Sequence, residues 1–355
     1  MKLFTCSNCL QLLFFENVRC GRCAQQLAYL PDYGILSALA PAGDPDFTAL
    51  APEANGKKYR LCDNYTRYGV CNWAVPSDSP QTLCQSCRLN HLIPNLCEPG
   101  AREAWQKLEA AKRRLLFTIL EFGLPLEAGD PSGYSLGFSF DKDHDDERVF
   151  TGHSDGLITI NIAESDNPFR EKIREQMGET YRTLLGHFRH EVGHYYWDRL
   201  VQGTNWHDPF RTEFGDESAD YTESMKRHYE SGPPPNWPLE FVSAYASMHP
   251  WEDWAETFAH YLHMVDTLET AHSHGLALSP KPAGGAQVET MNARRSRFDH
   301  FDELIAAWFP LTIAMNSLNR SMGLPDLYPF VLSERAVQKI RFVHEVFMEK
   351  GGRKI

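Results

Sequence analysis

Residues 189–198 read "RHEVGHYYWD", in which His190, Glu191 and His194 spell H-E-x-x-H. On a helix the two histidines, four apart, share a face and can both reach one metal ion, while Glu191 sits where a general base for a metal-activated water is needed. So short a pattern recurs by chance in long chains, and its surroundings carry the weight. Tyr181, Leu184, Leu185, Phe188, Val192 and Tyr195 recur at helical spacing as an apolar stripe, and the histidines fall off it. Where a surface helix places Lys and Glu, this one carries His187, His190, Glu191 and His194, with Gly186 and Gly193 allowing close approach of other backbone. The spacing predicts a helix buried on one side and lining a cleft on the other.

A catalytic zinc takes three protein ligands and keeps a fourth position open. The stretch "YASMHPWEDWAETFAHYLH" (245–263) is the source of candidates for the third. Pro250 suits a first helical turn, and Trp251, Trp254, Ala255, Phe258, Leu262 and Val265 form an apolar stripe. Glu252 and Glu256 lie four apart on another face, where two carboxylates repel unless a cation or hydrogen-bond donors stand between them. One metal ligand and one acceptor for a ligating histidine would account for the pair, and the order along the chain leaves the assignment open.

Eight of nine cysteines fall before residue 90. Cys6, Cys9, Cys20 and Cys23 form two C-x-x-C pairs, the pattern of a four-thiolate structural zinc. Cys62, Cys71, Cys84 and Cys87 form a looser second set, read as a second structural zinc with His91 able to replace one thiolate, the other reading being buried thiols packed under Trp73. Cys97 is left over as a structural thiol. Residues 41–56, rich in Pro, Ala, Gly and Asp, read as a linker, which sets out a first ribbon at 1–40, a second cysteine module at 57–100 and a catalytic domain at 101–355. A helix is expected over 101–122, with Lys112, Arg113 and Arg114 on a solvated face.

Within 101–355, "YSLGFSF" and "RVFTGHSDGLITINI" alternate apolar and polar residues around a tight "HSDG" turn and predict two or three strands. Helices follow from about 168. "SGPPPNWP" (231–238) breaks them, and 279–297 is polar, Gly-containing and expected to be mobile. Asp216, Glu217 and Asp220 read as a capped, solvated helix start, with a carboxylate behind His190 or His194 the alternative, and His260, His263, His272 and His274 as ordinary polar or packing histidines. The formal charge of −12 divides into +2 over residues 1–125 and −14 over the rest. That acidic half repels a phosphate backbone and argues against nucleic acid. No run of about 18 apolar residues is present to cross a membrane, and cysteines interrupt the start before a secretion signal can form, so the expected compartment is the cytoplasm.

Tyr245, six intervening residues, Glu252 and then Glu256 are similar to the arrangement in the lethal-factor-like gluzincin peptidases, where a tyrosine precedes the ligating glutamate and a second glutamate follows it by four. The resemblance implies that Glu252 is the third ligand, Tyr245 the phenol that steadies the oxyanion, and Glu256 the acceptor behind a histidine, with Glu256 as ligand the competing assignment. From the cysteines through "FRHEVGHYYWDRL", "FGDESADY" and "VSAYASMHPWEDWAETFAHYLH", nearly the whole chain resembles bacterial zinc-binding metallopeptidases with an N-terminal zinc ribbon. This implies an α+β fold, a mostly helical zincin-like domain with a small strand region behind zinc-ribbon modules. It also implies one catalytic and one or two structural Zn2+ ions, and a peptide or protein substrate cleaved through a zinc-activated water. In peptidases of this kind an edge strand commonly holds the substrate backbone, and "LITINI" is the segment placed for it. Two rivals are kept: ribbons that bind a protein or nucleic acid beside a silent or structural zinc scaffold, and an amide or isopeptide hydrolase using the same chemistry. An intact Glu191 weighs against a silent scaffold.

Overall fold

The computed structural model describes residues 2–126, 135–143, 148–176, 181–285, 290–292 and 300–351. The chain divides into two compact units, residues 1–176 with 183–188, and 189–352 with 177–182.

The first unit opens with a cysteine-rich strand region. β1 (Phe4–Thr5) and β2 (Leu12–Leu13) pair antiparallel. A five-stranded antiparallel meander follows: β3 (Gln26–Leu30), β4 (Ile35–Pro41), β5 (Phe47–Ala49), β6 (Lys58–Leu61) and β7 (Ala74–Pro76), with the one-turn α1 (Asp63–Thr66) between the last two. A parallel bridge between Tyr29 and Trp73 ties the meander's last strand region back to its first. The linker expected over 41–56 is instead part of this sheet: Phe47 pairs with Pro41 and with Tyr59, and Ala49, Ala51 and Ala54 are buried in its core. Composition misled because small Ala residues fill a tight interior here, leaving Pro and Gly to the turns.

β8 (Asn90–Leu92) leads to α2 (Ala101–Glu121), whose Phe117 packs on Phe15 and Tyr29. The solvated basic face expected on α2 is mostly interior. Lys112 is fully buried, 3.0 Å from the Glu109 carboxylate, and also donates to the Asn90 side chain; Arg113 is buried and donates to the Val70 carbonyl. Only Arg114 of the three is exposed. β9 (Gly137–Asp141), β10 (Gly152–Ser154) and β11 (Leu157–Asn161) then build a mixed sheet in the order β10-β11-β9-β8. Asp155 and Gly156, both at positive φ, make the two-residue turn that "HSDG" predicts. "LITINI" does not form an edge: β11 is paired with β9 on one side and, over Leu157–Thr159, with β10 on the other. The "YSLGFSF" strand begins at Gly137; Tyr134 lies outside the described residues. α3 (Asn167–Gln176) follows.

The second unit is helical. Its elements are most of α4 (Leu184–Leu200), then α5 (His207–Phe214), α6 (Tyr221–Ser231), the short α7 (Trp237–Glu240), α8 (Pro250–Ser273), the pair β12 (Ala277–Leu278) and β13 (Met291–Asn292), α9 (Phe301–Ser321) and α10 (Glu334–Lys350). Residues 286–289 and 293–297 of the loop expected to be mobile lie outside the described residues. α8 is the central strut. His249 caps it by accepting from the Trp251 amide, Pro250 opens it, and acidic Glu252 and Asp253 occupy the first turn, where the helix dipole favours them. Around its buried length Trp254 meets Phe210, Phe214 and Phe342, and Phe258 meets Phe347. α4 is enclosed on all sides from Glu191 to Trp197, where a one-sided stripe is expected from the sequence. Gly193 makes this possible, since a Cβ there would lie 3.0 Å from the Ala255 Cα of α8. In the same contact the Trp254 indole donates to the Gly193 carbonyl at 2.8 Å.

Candidate metal centre

Packing α4 on α8 at Gly193 brings His190 and His194 to the first turn of α8. His190 Nε2 and His194 Nε2 are 3.2 Å apart. His190 Nε2 lies 3.0 Å from Glu252 Oε2, and His194 Nε2 3.5 Å from Glu252 Oε1. Ligands about 2.0–2.1 Å from a tetrahedral zinc would stand about 3.3 Å apart, so these spacings fit one ion. Glu252 is buried, and its Oε2 accepts no hydrogen bond from the described residues. A carboxylate oxygen so placed, facing two imidazole nitrogens, has the donor chemistry of a zinc site.

Glu256 takes a different place. Its Oε1 is 2.7 Å from His190 Nδ1, and its Oε2 accepts from the Ser243 hydroxyl at 2.6 Å. An Nδ1–H donated to Glu256 would, in the neutral ring, leave Nε2 as the metal-binding nitrogen, on the side of Glu252 and His194. Tyr245 lies in a 3-10 turn (Tyr245–Ser247) ahead of α8, its ring centroid 6.0 Å from that of His190. Glu191 is buried. The Trp251 ring covers His194, with centroids 3.8 Å apart.

The imidazole and the two carboxylates sustain one another's charged forms. Burial disfavours the charged forms of His190, Glu252 and Glu256, yet it is outweighed. Glu252 and Glu256 push His190 well above the usual imidazole range; His194 and His190 hold Glu252 well below the usual carboxylate range; and His190, His260 and Ser243 bring Glu256 down to about 2. Burial, reinforced by Glu252, drives the Tyr245 phenol well above its ordinary value, so it is a hydrogen-bond donor at neutral pH.

The other expected residues separate clearly. Asp220 caps α6 by accepting from the Glu223 amide, and Glu217 pairs with Arg211 and His207, so neither serves the histidines. His260, buried against the Tyr328 hydroxyl at 2.7 Å and brought down to about 4 by that burial, is a packing residue, and His263 meets Arg189. Two side chains at the centre carry no spacing signal: Tyr221, whose hydroxyl donates to Glu252 Oε1 at 2.8 Å, and Ser243. Both fall inside the "FGDESADY" and "VSAYASM" stretches.

The cysteines gather as two tetrads, Cys6, Cys9, Cys20, Cys23 and Cys62, Cys71, Cys84, Cys87, with the sulfurs of each within 4.8 Å of one another. The Cys6–Cys23, Cys9–Cys20 and Cys71–Cys84 sulfur separations are 3.7, 3.6 and 3.6 Å. Four thiolates about 2.3 Å from a tetrahedral zinc stand about 3.8 Å apart, and a disulfide would be far shorter. In the first tetrad the two knuckles repeat one geometry: Leu10 and Ala24, each following a C-x-x-C pair, adopt positive φ and return their amides to the carbonyls of Cys6 and Cys20. His91 is exposed and lies outside the second tetrad.

A cysteine-rich strand region with zinc-ribbon tetrads, followed by helices that gather two histidines and a glutamate, defines an α+β zinc-binding protein. The family model described as "Putative zinc-binding metallo-peptidase" matches residues 101–346, and one described as "zinc-ribbon domain" matches residues 3–98. The chain belongs to that metallopeptidase family. Proteins of Mycobacterium bovis and of two strains of Mycobacterium tuberculosis, each named an uncharacterized protein, are 41% identical over 356 residues, covering 98% of this chain and 96% of their own. No solved structure matches it. Among the described residues no helix is long and apolar enough to cross a membrane.

Proposed function

We propose that the protein is a zinc-dependent peptidase of the gluzincin type, with His190, His194 and Glu252 as ligands of one catalytic ion and the two cysteine tetrads each holding a structural zinc. The observation that carries this is the convergence of two imidazole nitrogens and a buried carboxylate, with Glu191 next to the first histidine on the same helix. Zinc bound there supplies the Lewis acidity that makes a water nucleophilic at neutral pH. Glu191 takes the proton from the attacking water and passes it to the leaving amine. The Tyr245 phenol donates a hydrogen bond to the oxyanion that develops on the substrate carbonyl. Glu256 and Ser243 hold the His190 ring in register. Eight thiols arranged as metal tetrads suit a reducing compartment, so we place the protein in the cytoplasm.

Elemental analysis of purified wild type beside a His190→Ala, His194→Ala double variant tests the reading. Three zinc ions per chain should fall to two, and Glu191→Gln should keep all three while losing nearly all cleavage of a peptide library. Equal zinc in wild type and double variant would sink it.

A further inference from the structure

The Glu252 carboxylate is also held by a residue outside the H-E-x-x-H helix. Tyr221 is the first residue of α6, set by the Asp220 cap, whose side chain accepts from the Glu223 amide at 2.9 Å. Its ring packs edge-on against His249 and Trp251, with centroids 5.3 and 6.1 Å away. His249 in turn caps α8 and lies 3.0 Å, through Nε2, from the Ala219 carbonyl. The starts of α6 and α8 are thereby stitched together, and the Tyr221 hydroxyl reaches Glu252 Oε1 at 2.8 Å.

That hydrogen bond makes the two carboxylate oxygens unequal. Oε1 accepts from Tyr221, whereas Oε2, 3.0 Å from His190 Nε2, accepts no hydrogen bond from the described residues. A carboxylate with one oxygen engaged binds a metal through the other, while one with both oxygens free can close on the metal with two and fill the position a water needs. Resting on the zinc reading above, we infer that Tyr221 is a positioning residue for the metal-binding carboxylate, holding Glu252 to single-oxygen ligation so that the fourth coordination position stays open.

Tyr221→Phe removes the hydroxyl and keeps the ring that packs on His249 and Trp251. Full-length wild type and variant, with their cysteine sites loaded, are titrated at the histidine site with Zn2+ against a competing chelator and separately with Co2+, whose visible spectrum follows coordination number. The expected result is Zn2+ affinity weakened about 10- to 100-fold, a Co2+ spectrum shifted toward higher coordination, and an unchanged thermal midpoint with the histidine site empty. Wild-type affinity together with a wild-type Co2+ spectrum in the variant would overturn the inference and leave the zinc reading standing. So would a lowered thermal midpoint with an unaltered Co2+ spectrum, which would make the hydroxyl merely structural. A wild-type chain that takes up no metal at the histidines would overturn the zinc reading itself, and this inference with it.

Discussion

At the scale of single residues, the His190 ring explains why Glu252 and Glu256 have different places although their types and spacing are equivalent. Its two nitrogens meet carboxylates one helical turn apart, Nε2 at 3.0 Å from Glu252 and Nδ1 at 2.7 Å from Glu256. In the sequence the pair is ambiguous, because either glutamate can face the histidines until the pitch of α8 against α4 is known. Tyr221 and Ser243 are harder still to read, since a hydroxyl 31 or 13 residues from its carboxylate leaves no periodic trace. Tyr245 is visible only through its offset from Glu252. Its phenol is buried and protonated, and in the proposed mechanism it serves the oxyanion rather than the metal. Tyr245→Phe should therefore lower kcat about 100- to 1,000-fold with zinc content unchanged, measured by peptide cleavage and elemental analysis on the same samples. Loss of zinc in that variant would instead place Tyr245 among the groups that hold the ion.

At the scale of elements, the site depends on how α8 is fixed in its unit, and one buried ion pair is central to that. Asp253, next to Glu252, is fully buried, and its Oδ2 lies 2.5 Å from Lys339 of α10, which is 4% exposed and also donates to the Glu240 carbonyl. Burial raises the Asp253 carboxyl to about 7 even with Lys339 beside it, so removing the lysine drives the carboxyl to its neutral form and loses both the ion pair and the lysine's bond to the Glu240 carbonyl. Lys339→Ala should destabilise by about 3–5 kcal/mol, whereas Asp253→Leu with Lys339→Met should recover most of that, because apolar pairs of similar volume replace buried ion pairs at little cost. Urea unfolding of the three proteins checks it, and a double variant as unstable as Lys339→Ala would contradict it. The helices themselves are legible, with Pro250 opening α8 and apolar spacing marking both α4 and α8. What the pattern misses is the burial of charge. Lys112 on α2 looks like a solvent residue because its partners, Asn90 and the Glu109 carboxylate, neutralise it inside the core.

At the scale of the whole molecule, the fold class, the two cysteine groupings and the H-E-x-x-H pair are legible in the sequence, whereas the choice between Glu252 and Glu256 and the sheet containing 41–56 are not, the latter because small apolar residues between Pro and Gly resemble a loop until their strand partners are known. The same contrast separates two kinds of metal dependence. The first cysteine tetrad is carried by turns and the two-residue strands β1 and β2, whose tips leave Leu10 and Phe14 exposed, at 79% and 54%, so few apolar contacts beyond Phe4, Leu13 and Phe15 offset the chain entropy of this tip. Zinc bound to its thiolates would therefore be a large share of its folding free energy. The histidine site instead rests on α8, a 24-residue helix whose packing is made by buried aromatic side chains. Titration with a mercurial that takes thiolates should release the cysteine-bound zinc and open the N-terminal region to limited proteolysis. A chelator at a dose that removes only the histidine-site ion should abolish peptide cleavage while the digestion pattern and helical circular dichroism stay as they were. If that selective removal unfolded the helices, the ion would be part of the scaffold, and the site would be better read as structural than catalytic.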